Sequence, residues 1–327
     1  MFRKIISLIA VIIAVFAWQY NAVGDSKKVK IYISQLVEHP ALDATTKGII
    51  QGLSDAGYKD ENLDLIVESA QGNVSLANQI ANKLISKNPD IVVGVATVTA
   101  QSFSKYARAG KTKLIFSSVT DPVDAGLVNS VVKPGNNTSG VSNFIPLEPQ
   151  IEMFLKIKPG IKKLGFLYNP GELNSISLIE KLKVICPTYG IELVTVSASK
   201  TSEVPQSAVK LSSLVDAIFV SNDNTALSAF KTIVRAANSV SIPVFVSDTD
   251  IVKDGAVAAL GPNQYDLGLQ TAKMIVDVLE GREIDTTPVE FPKKVDLYLN
   301  PNAAEKVGVK IPKDLFESAS YLVENKK

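Results

Sequence analysis

The sequence predicts an α/β fold of two similar lobes, each a parallel β-sheet flanked by helices. Two observations carry this expectation: apolar runs of strand length alternate with helical segments, and the order of these segments repeats once along the chain. Strands that are apolar throughout belong to sheets covered on both faces, which is the setting of parallel sheets. With 327 residues, 46% hydrophobic and 20% charged, the chain is long and apolar enough for two such cores.

At the N-terminus, Arg3 and Lys4 precede the apolar stretch Ile5 to Trp18, and Ala22-Val23-Gly24 follows. A short positive region, an apolar run and a small-x-small site describe a secretory signal peptide, here residues 1–24. A membrane span needs about 20 apolar residues, so an uncleaved N-terminal anchor is the alternative rather than the first reading. Val29 to Leu36 then forms a β-rich run, and Asp43 to Gly57 has helical spacing with Ile49, Ile50 and Leu53 on one face. Leu63 to Glu68 is a strand, Leu76 to Asn88 a helix, Asp90 to Ala96 an apolar strand, and Leu114 to Val119 another. Lys162 to Tyr168, a helix from Ser175 to Tyr189, Ile191 to Val196, Val215 to Val220 and Val244 to Asp250 answer these in the same order.

Between the halves, Lys133 to Asn143 is rich in Gly, Asn and Ser and reads as a turn and crossing segment. A further helix, Leu267 to Leu279, and a strand, Val295 to Leu299, exceed what the second lobe needs. The chain is therefore expected to recross. This assigns residues 25–143 with about 263–285 to one lobe, and 144–262 with about 286–327 to the other.

Composition excludes several chemistries. The chain has 34 basic and 33 acidic side chains, a formal charge of +1. That balance argues against a nucleic-acid partner. One cysteine and one histidine rule out a disulfide framework and make a histidine- or cysteine-based metal site untenable. His39 precedes Pro40 and is expected as an extended loop or rim residue, and Cys186 as a buried small hydrophobe within a helix. No G-x-S-x-G, G-x-G-x-x-G or G-x-x-x-x-G-K-[ST] motif occurs in a supporting context, so no enzyme class and no cofactor is expected. The pair Asp248/Asp250 is the sole support for an exported hydrolase.

Six segments carry a resemblance: VEHPALD (37–43), GLSDAGY (52–58), VTDPVDAGLV (119–128), YNPGELNS (168–175), SNDNT (221–225) and SDTD (247–250). Through them the chain resembles substrate-binding proteins of ABC transporters with the type I periplasmic binding fold. The closer resemblance is to the ABC substrate-binding family that includes tryptophan- and tyrosine-binding members. The second-lobe motif departs from the family's Ser-rich version in reading NPGE. The resemblance implies a multi-stranded hinge, a monomer, a periplasmic location, a membrane permease with its ATPase as partner, and an amino acid, aromatic by analogy, as ligand.

In open α/β sheets ligands lie outside the carboxyl ends of the strands. Glu38, then Ala96, Thr97 and Thr99, then Thr120 and Asp121 fall there in the first half. Tyr168, Asn169, Asn174 and Ser175, then Asn222, Asp223 and Asn224, then Asp248 hold the equivalent places in the second. A carboxylate suits Thr97, Thr99 and the helix N-terminus they open, and equally Ser175. An ammonium group suits Asp223 and Asp248, helped by Asn169 and Asn222, while Glu38 and Tyr168 frame the ligand's side chain. Asp121-Pro122 also reads as a plain turn, and Asp223→Ala is expected to weaken binding without disturbing the fold. A ligand-sensing receptor subunit remains the alternative to a transport protein.

Overall fold

The computed structural model describes residues 28–324; the expected signal segment 1–24 lies outside them. No helix among the described residues is long and apolar enough to cross a membrane.

The first half runs β1 (Val29–Gln35), α1 (Pro40–Asp55), β2 (Leu63–Ser69), α2 (Val74–Ile85), β3 (Ile91–Val95), α3 (Thr97–Arg108), β4 (Lys113–Ser117) and β5 (Thr138–Val141). Its five strands are all parallel, in the order β2-β1-β3-β4-β5. The second half runs α4 (Glu148–Ile157), β6 (Lys163–Tyr168), α5 (Leu173–Thr188), β7 (Glu192–Ser197), α6 (Val204–Ser212), β8 (Ala217–Val220), α7 (Asn224–Ser228), α8 (Phe230–Ser239), β9 (Val244–Val246) and β10 (Ala258–Gly261). Its strands lie in the order β7-β6-β8-β9-β10, the same permutation as in the first sheet. The repeat seen in the sequence is thus a repeat of topology.

The chain then returns to the first half as α9 (Gln264–Leu279) and ends in the second as β11 (Asp296–Leu299), α10 (Pro301–Lys306), α11 (Lys313–Ser318) and β12 (Tyr321–Leu322). Strand β11 adds antiparallel to β10. One apolar core joins Ile31, Ile33, Val92, Phe103 and Phe116 to Leu267 and Ile275 of α9. A second centres on Phe154, Phe166, Phe219 and Phe245, with Phe154 stacked on Phe245 at 4.5 Å.

Local chemistry explains the elements. Pro40 opens α1 with φ already set, and the His39 side chain caps it. Ile49 and Leu53 are fully buried, but Ile50, expected on the same face, is 37% exposed. Helices α1 and α9 cross at Gly48 and Gly268, where a Cβ on Gly268 would stand 2.1 Å from the Thr45 carbonyl oxygen. The Lys133–Asn143 segment is more than a turn, because it contains β5. Its small residues answer a packing demand: a Cβ on Gly140 would lie 2.2 Å from the Phe116 carbonyl oxygen.

Two of the crossings run side by side. Ser142 N–H donates to Glu290 C=O at 2.8 Å, and Glu290 N–H to Gly140 C=O at 3.0 Å. The third crossing is the Gly261–Gln264 link between β10 and α9.

Candidate functional site

The carboxyl ends of both sheets point toward one another, and the lobes meet around a small cavity. It is lined by His39, Ala41, Leu42, Thr97, Ser118, Asn143 and Gln264 on one side, and by Asn174, Asn222, Asn224, Leu227 and Asp248 on the other. The space between its lining atoms, its opening to solvent included, is about 280 Å³, and only a small part of it is wide enough for a water.

The first wall is made of donors. Strand β3 ends at Ala96, whose φ of +80° is rare for a residue with a Cβ. The turn it makes leaves α3 with no side-chain cap, so the first-turn N–H groups of a helix with its positive dipole end face the cleft. Thr97 Oγ1 is buried there with no hydrogen-bond partner. Thr99, two residues on, is spent within its own helix: its hydroxyl donates to Val95 C=O at 2.7 Å and Ala96 C=O at 3.0 Å. His39 is buried at the N-cap of α1 and lies 3.2 Å, Nε2 to Oδ1, from Asn224 of the opposite lobe. Burial holds its imidazole below the usual histidine range, against the opposing hydrogen bond with Asn224.

The second wall is made of acceptors. Asn174 Oδ1 is buried without a partner, while its amide nitrogen donates to Asn222 C=O at 2.7 Å. Asp248 follows β9, fully buried, and accepts from Gln264 Nε2 at 2.5 Å. Burial, with Asp250 nearby, pushes its carboxyl up to about 7, against that hydrogen bond. Gln264 Oε1 in turn accepts from Thr45 at 3.2 Å and Ser118 at 3.1 Å, so one amide ties first-lobe hydroxyls to a second-lobe carboxylate.

Around the rim, Lys181 of α5 pairs with Asp121 at 2.9 Å and Ser177 donates to Asp124 at 3.0 Å, both between lobes. Asn222 Nδ2 donates to Thr120 Oγ1, which donates to Asn143 Oδ1, each at 3.2 Å. Outside the cavity, a groove shares the Asn224 wall and is bordered by Asn169, Gly72 and Lys200.

Of the residues singled out from sequence, Thr97, Asn174, Asn222, Asn224 and Asp248 converge on the cavity. Ala96 acts through its backbone, and Thr120 and Asp121 bridge the lobes at the rim. Thr99 is spent within its own helix, and five further expectations need correction, for Glu38, Tyr168, Asn169, Asp223 and Ser175. Glu38 is exposed and does not line the cavity. The Tyr168 ring packs against the second core. Asn169 uses its amide on Thr225 Oγ1 at 2.9 Å and faces the outer groove.

Asp223, expected to hold an ammonium group, is consumed locally. It caps α7 through Ala226 N–H at 2.7 Å and accepts from Asn169 N–H and Ser175 Oγ, each at 2.6 Å. Its pKa is pushed upward by burial and by Glu172 beside it. Ser175 is thereby committed as well, and these contacts make loss of stability the expected result of Asp223→Ala. Glu172, His39, Ser118, Asn143 and Gln264 were not expected at the site. Glu172 stands inside the YNPGELNS motif and Gln264 opens α9 after Asn263, the two positions where sequence held a signal. Among the described residues no group of three or more His, Cys, Asp or Glu is arranged to hold a metal ion.

Comparison with known proteins places this geometry. Residues 30–323 match the model of a family described as ABC transporter substrate binding protein. A protein named tyrosine-binding protein, from Clostridioides difficile (strain R20291), is 35% identical over 282 residues, 86% of this chain and 81% of the relative. Among solved structures, an ABC domain in complex with L-Trp from Streptococcus pneumonia is 34% identical with a TM-score of 0.85. A substrate binding protein with adhesive properties from Clostridium difficile, in its ligand-free, open structure, is 33% identical with a TM-score of 0.68. Each comparison covers 91% of this chain and 100% of the other.

Proposed function

The chain belongs to the ABC transporter substrate binding protein family, and on that premise we propose that it captures a zwitterionic aromatic amino acid between its lobes and delivers it to a membrane permease. Membership makes it a binding component for a small-molecule substrate of an ABC transporter. The observation that carries the finer reading is the pair of buried, unpartnered atoms on opposite walls of one cavity, Thr97 Oγ1 and Asn174 Oδ1. A buried polar atom without a partner is destabilising by about 1–3 kcal/mol, and a ligand offering the complement on each side removes that penalty.

The ligand carboxylate belongs at the uncapped N-terminus of α3 with Thr97, where the helix dipole favours an anion. Its ammonium group belongs with Asp248, Asn174 and Asn222 in the second lobe. Leu42, Leu227 and Ala41 supply the apolar wall. The aromatic class rests on relatives: one is named a tyrosine-binding protein and one was solved with L-Trp.

Capture works by hinge closure about the three crossings between lobes 25–143 with 263–285 and 144–262 with 286–327. The present cavity is too narrow for an amino acid to enter, so the lobes part for loading and close over the ligand. At near-equal identity and coverage, the better superposition on the L-Trp complex than on the open structure supports reading the Asp121–Lys181 and His39–Asn224 contacts as those of the closed state. The mature protein acts as a periplasmic monomer after loss of residues 1–24.

A thermal-shift screen of the twenty amino acids, followed by calorimetry, tests the reading. Tyrosine or tryptophan is expected to raise the melting temperature by mass action. A shift with a sugar or a nucleoside, and with no amino acid, refutes it.

A further inference from the structure

We propose that Glu172 is the positioning residue that gives the second lobe its acceptor character: it holds the amide nitrogens of Asn174 and Asn224, leaving both side-chain oxygens toward the cleft and setting the tautomer of His39 opposite. The ligand consequence rests on the amino-acid reading above; the amide orientations do not.

Glu172 lies between β6 and α5, buried at 3% exposure. Every group directed at its carboxylate is a donor. Oε2 accepts from Asn224 Nδ2 at 2.6 Å, from Asn224 N–H at 2.9 Å and from Asn174 Nδ2 at 3.3 Å. Oε1 accepts from Thr225 N–H at 3.0 Å and Thr225 Oγ1 at 2.8 Å. A carboxylate in this role accepts only, so reversing either asparagine amide would press oxygen against oxygen in a buried site. The carbonyl of Asn222, accepting from Asn174 Nδ2 at 2.7 Å, enforces the same orientation from the other side.

Two results follow. Asn174 Oδ1 is left facing the cavity with no partner, a position that requires a donor from the ligand. Asn224 Oδ1 is left 3.2 Å from His39 Nε2, so in the closed state that nitrogen must carry the hydrogen. The remaining lone pair is then on Nδ1, where Leu42 N–H approaches at 3.5 Å. The depressed imidazole pKa agrees with a neutral ring held by one donor and one acceptor contact. A residue whose hydrogen bonds all lie within the second lobe thus sets the hydrogen-bond polarity of both encounters.

The test uses the chain's lone histidine, whose imidazole signals are free of overlap. With tyrosine bound, imidazole ¹⁵N shifts of the wild type should report the Nε2–H tautomer. In Glu172→Gln, whose amide brings a donor against the same cluster of donors, they should move toward Nδ1–H. Calorimetry should show the preference for L-tyrosine over its deaminated analogue narrowing by more than tenfold in Glu172→Gln. Unchanged tautomer and unchanged preference overturn the proposal. A neutron map of the deuterated wild type decides the matter without ligand or variant. Deuterons of Asn174 and Asn224 facing Glu172 uphold the assignment, and oxygens there sink it. Should tyrosine fail to bind the wild type, the amino-acid reading falls and the neutron map still judges Glu172.

Discussion

Replacing Thr97 by Val separates binding from folding. The substitution keeps the branched shape and deletes one hydroxyl, which has no hydrogen-bond partner in this closed geometry and meets water once the lobes part. Folding therefore loses no hydrogen bond, and the stability of the unliganded protein should stay within about 0.5 kcal/mol of wild type. Binding should respond strongly. A hydrogen bond to a charged carboxylate is worth about 1.5–3 kcal/mol, so Kd for tyrosine should rise roughly 10- to 150-fold. Thr97→Ser keeps the hydroxyl and should stay within about threefold of wild type. Calorimetry with L-tyrosine and thermal denaturation of the ligand-free protein read both effects. If Thr97→Val leaves affinity unchanged, or lowers the unliganded Tm by several degrees, Thr97 serves the fold and not the ligand.

Gly268→Ala forces α1 and α9 apart at a contact where a Cβ would stand 2.1 Å from the Thr45 carbonyl oxygen. A loss of about 1–3 kcal/mol should appear in urea unfolding, and an unmoved midpoint would show that the crossing has slack. Asp223→Ala removes the cap of α7 and strands Ser175 and the Asn169 N–H, so it should destabilise the ligand-free protein by about 1–2 kcal/mol or more. A variant as stable as wild type with weakened binding would return Asp223 to the ligand.

Asp248 gives a pH signature. Burial holds its carboxyl at about 7, above the ordinary aspartate value of 3.8, so between those pH values the folded protein holds a proton that the unfolded chain has released. The stability of the ligand-free protein should fall as pH rises through this window, and Asp248→Asn should flatten the fall. An arriving ammonium group favours the carboxylate, so binding near neutral pH should release protons. Calorimetric heats that do not vary with the buffer's ionisation enthalpy would refute this role.

The repeat and the strand ends were legible because β3, β8 and β9 are apolar throughout and β4 carries the apolar run Leu114 to Phe116, with polar residues close behind each. Strand β5 was not, since Thr-Ser-Gly-Val has the composition of a turn and only the proximity of Phe116 explains it. At the site, residue type indicated position but not allegiance. Asp223 and Asp248 both follow apolar strands, yet one caps a helix and the other lines the cavity. Sequence spacing carries no information on which carboxylate finds a backbone N–H first. The role of His39 was hidden, and the helix start at Gln264 did not disclose its role, for another reason: their partners, Asn224 and Asp248, come from the opposite lobe. Tertiary docking alone creates those roles.

The two lobes share one strand order, yet the helix after β3 begins open while the helix after β8 is sealed by Asp223 and Glu172. Two like halves face to face would accept a head-and-tail ligand in either of two poses. Sealing one helix abolishes that degeneracy. On the proposed reading cargo is then held one way round, and whatever opens the cleft at the membrane always meets the same end of it.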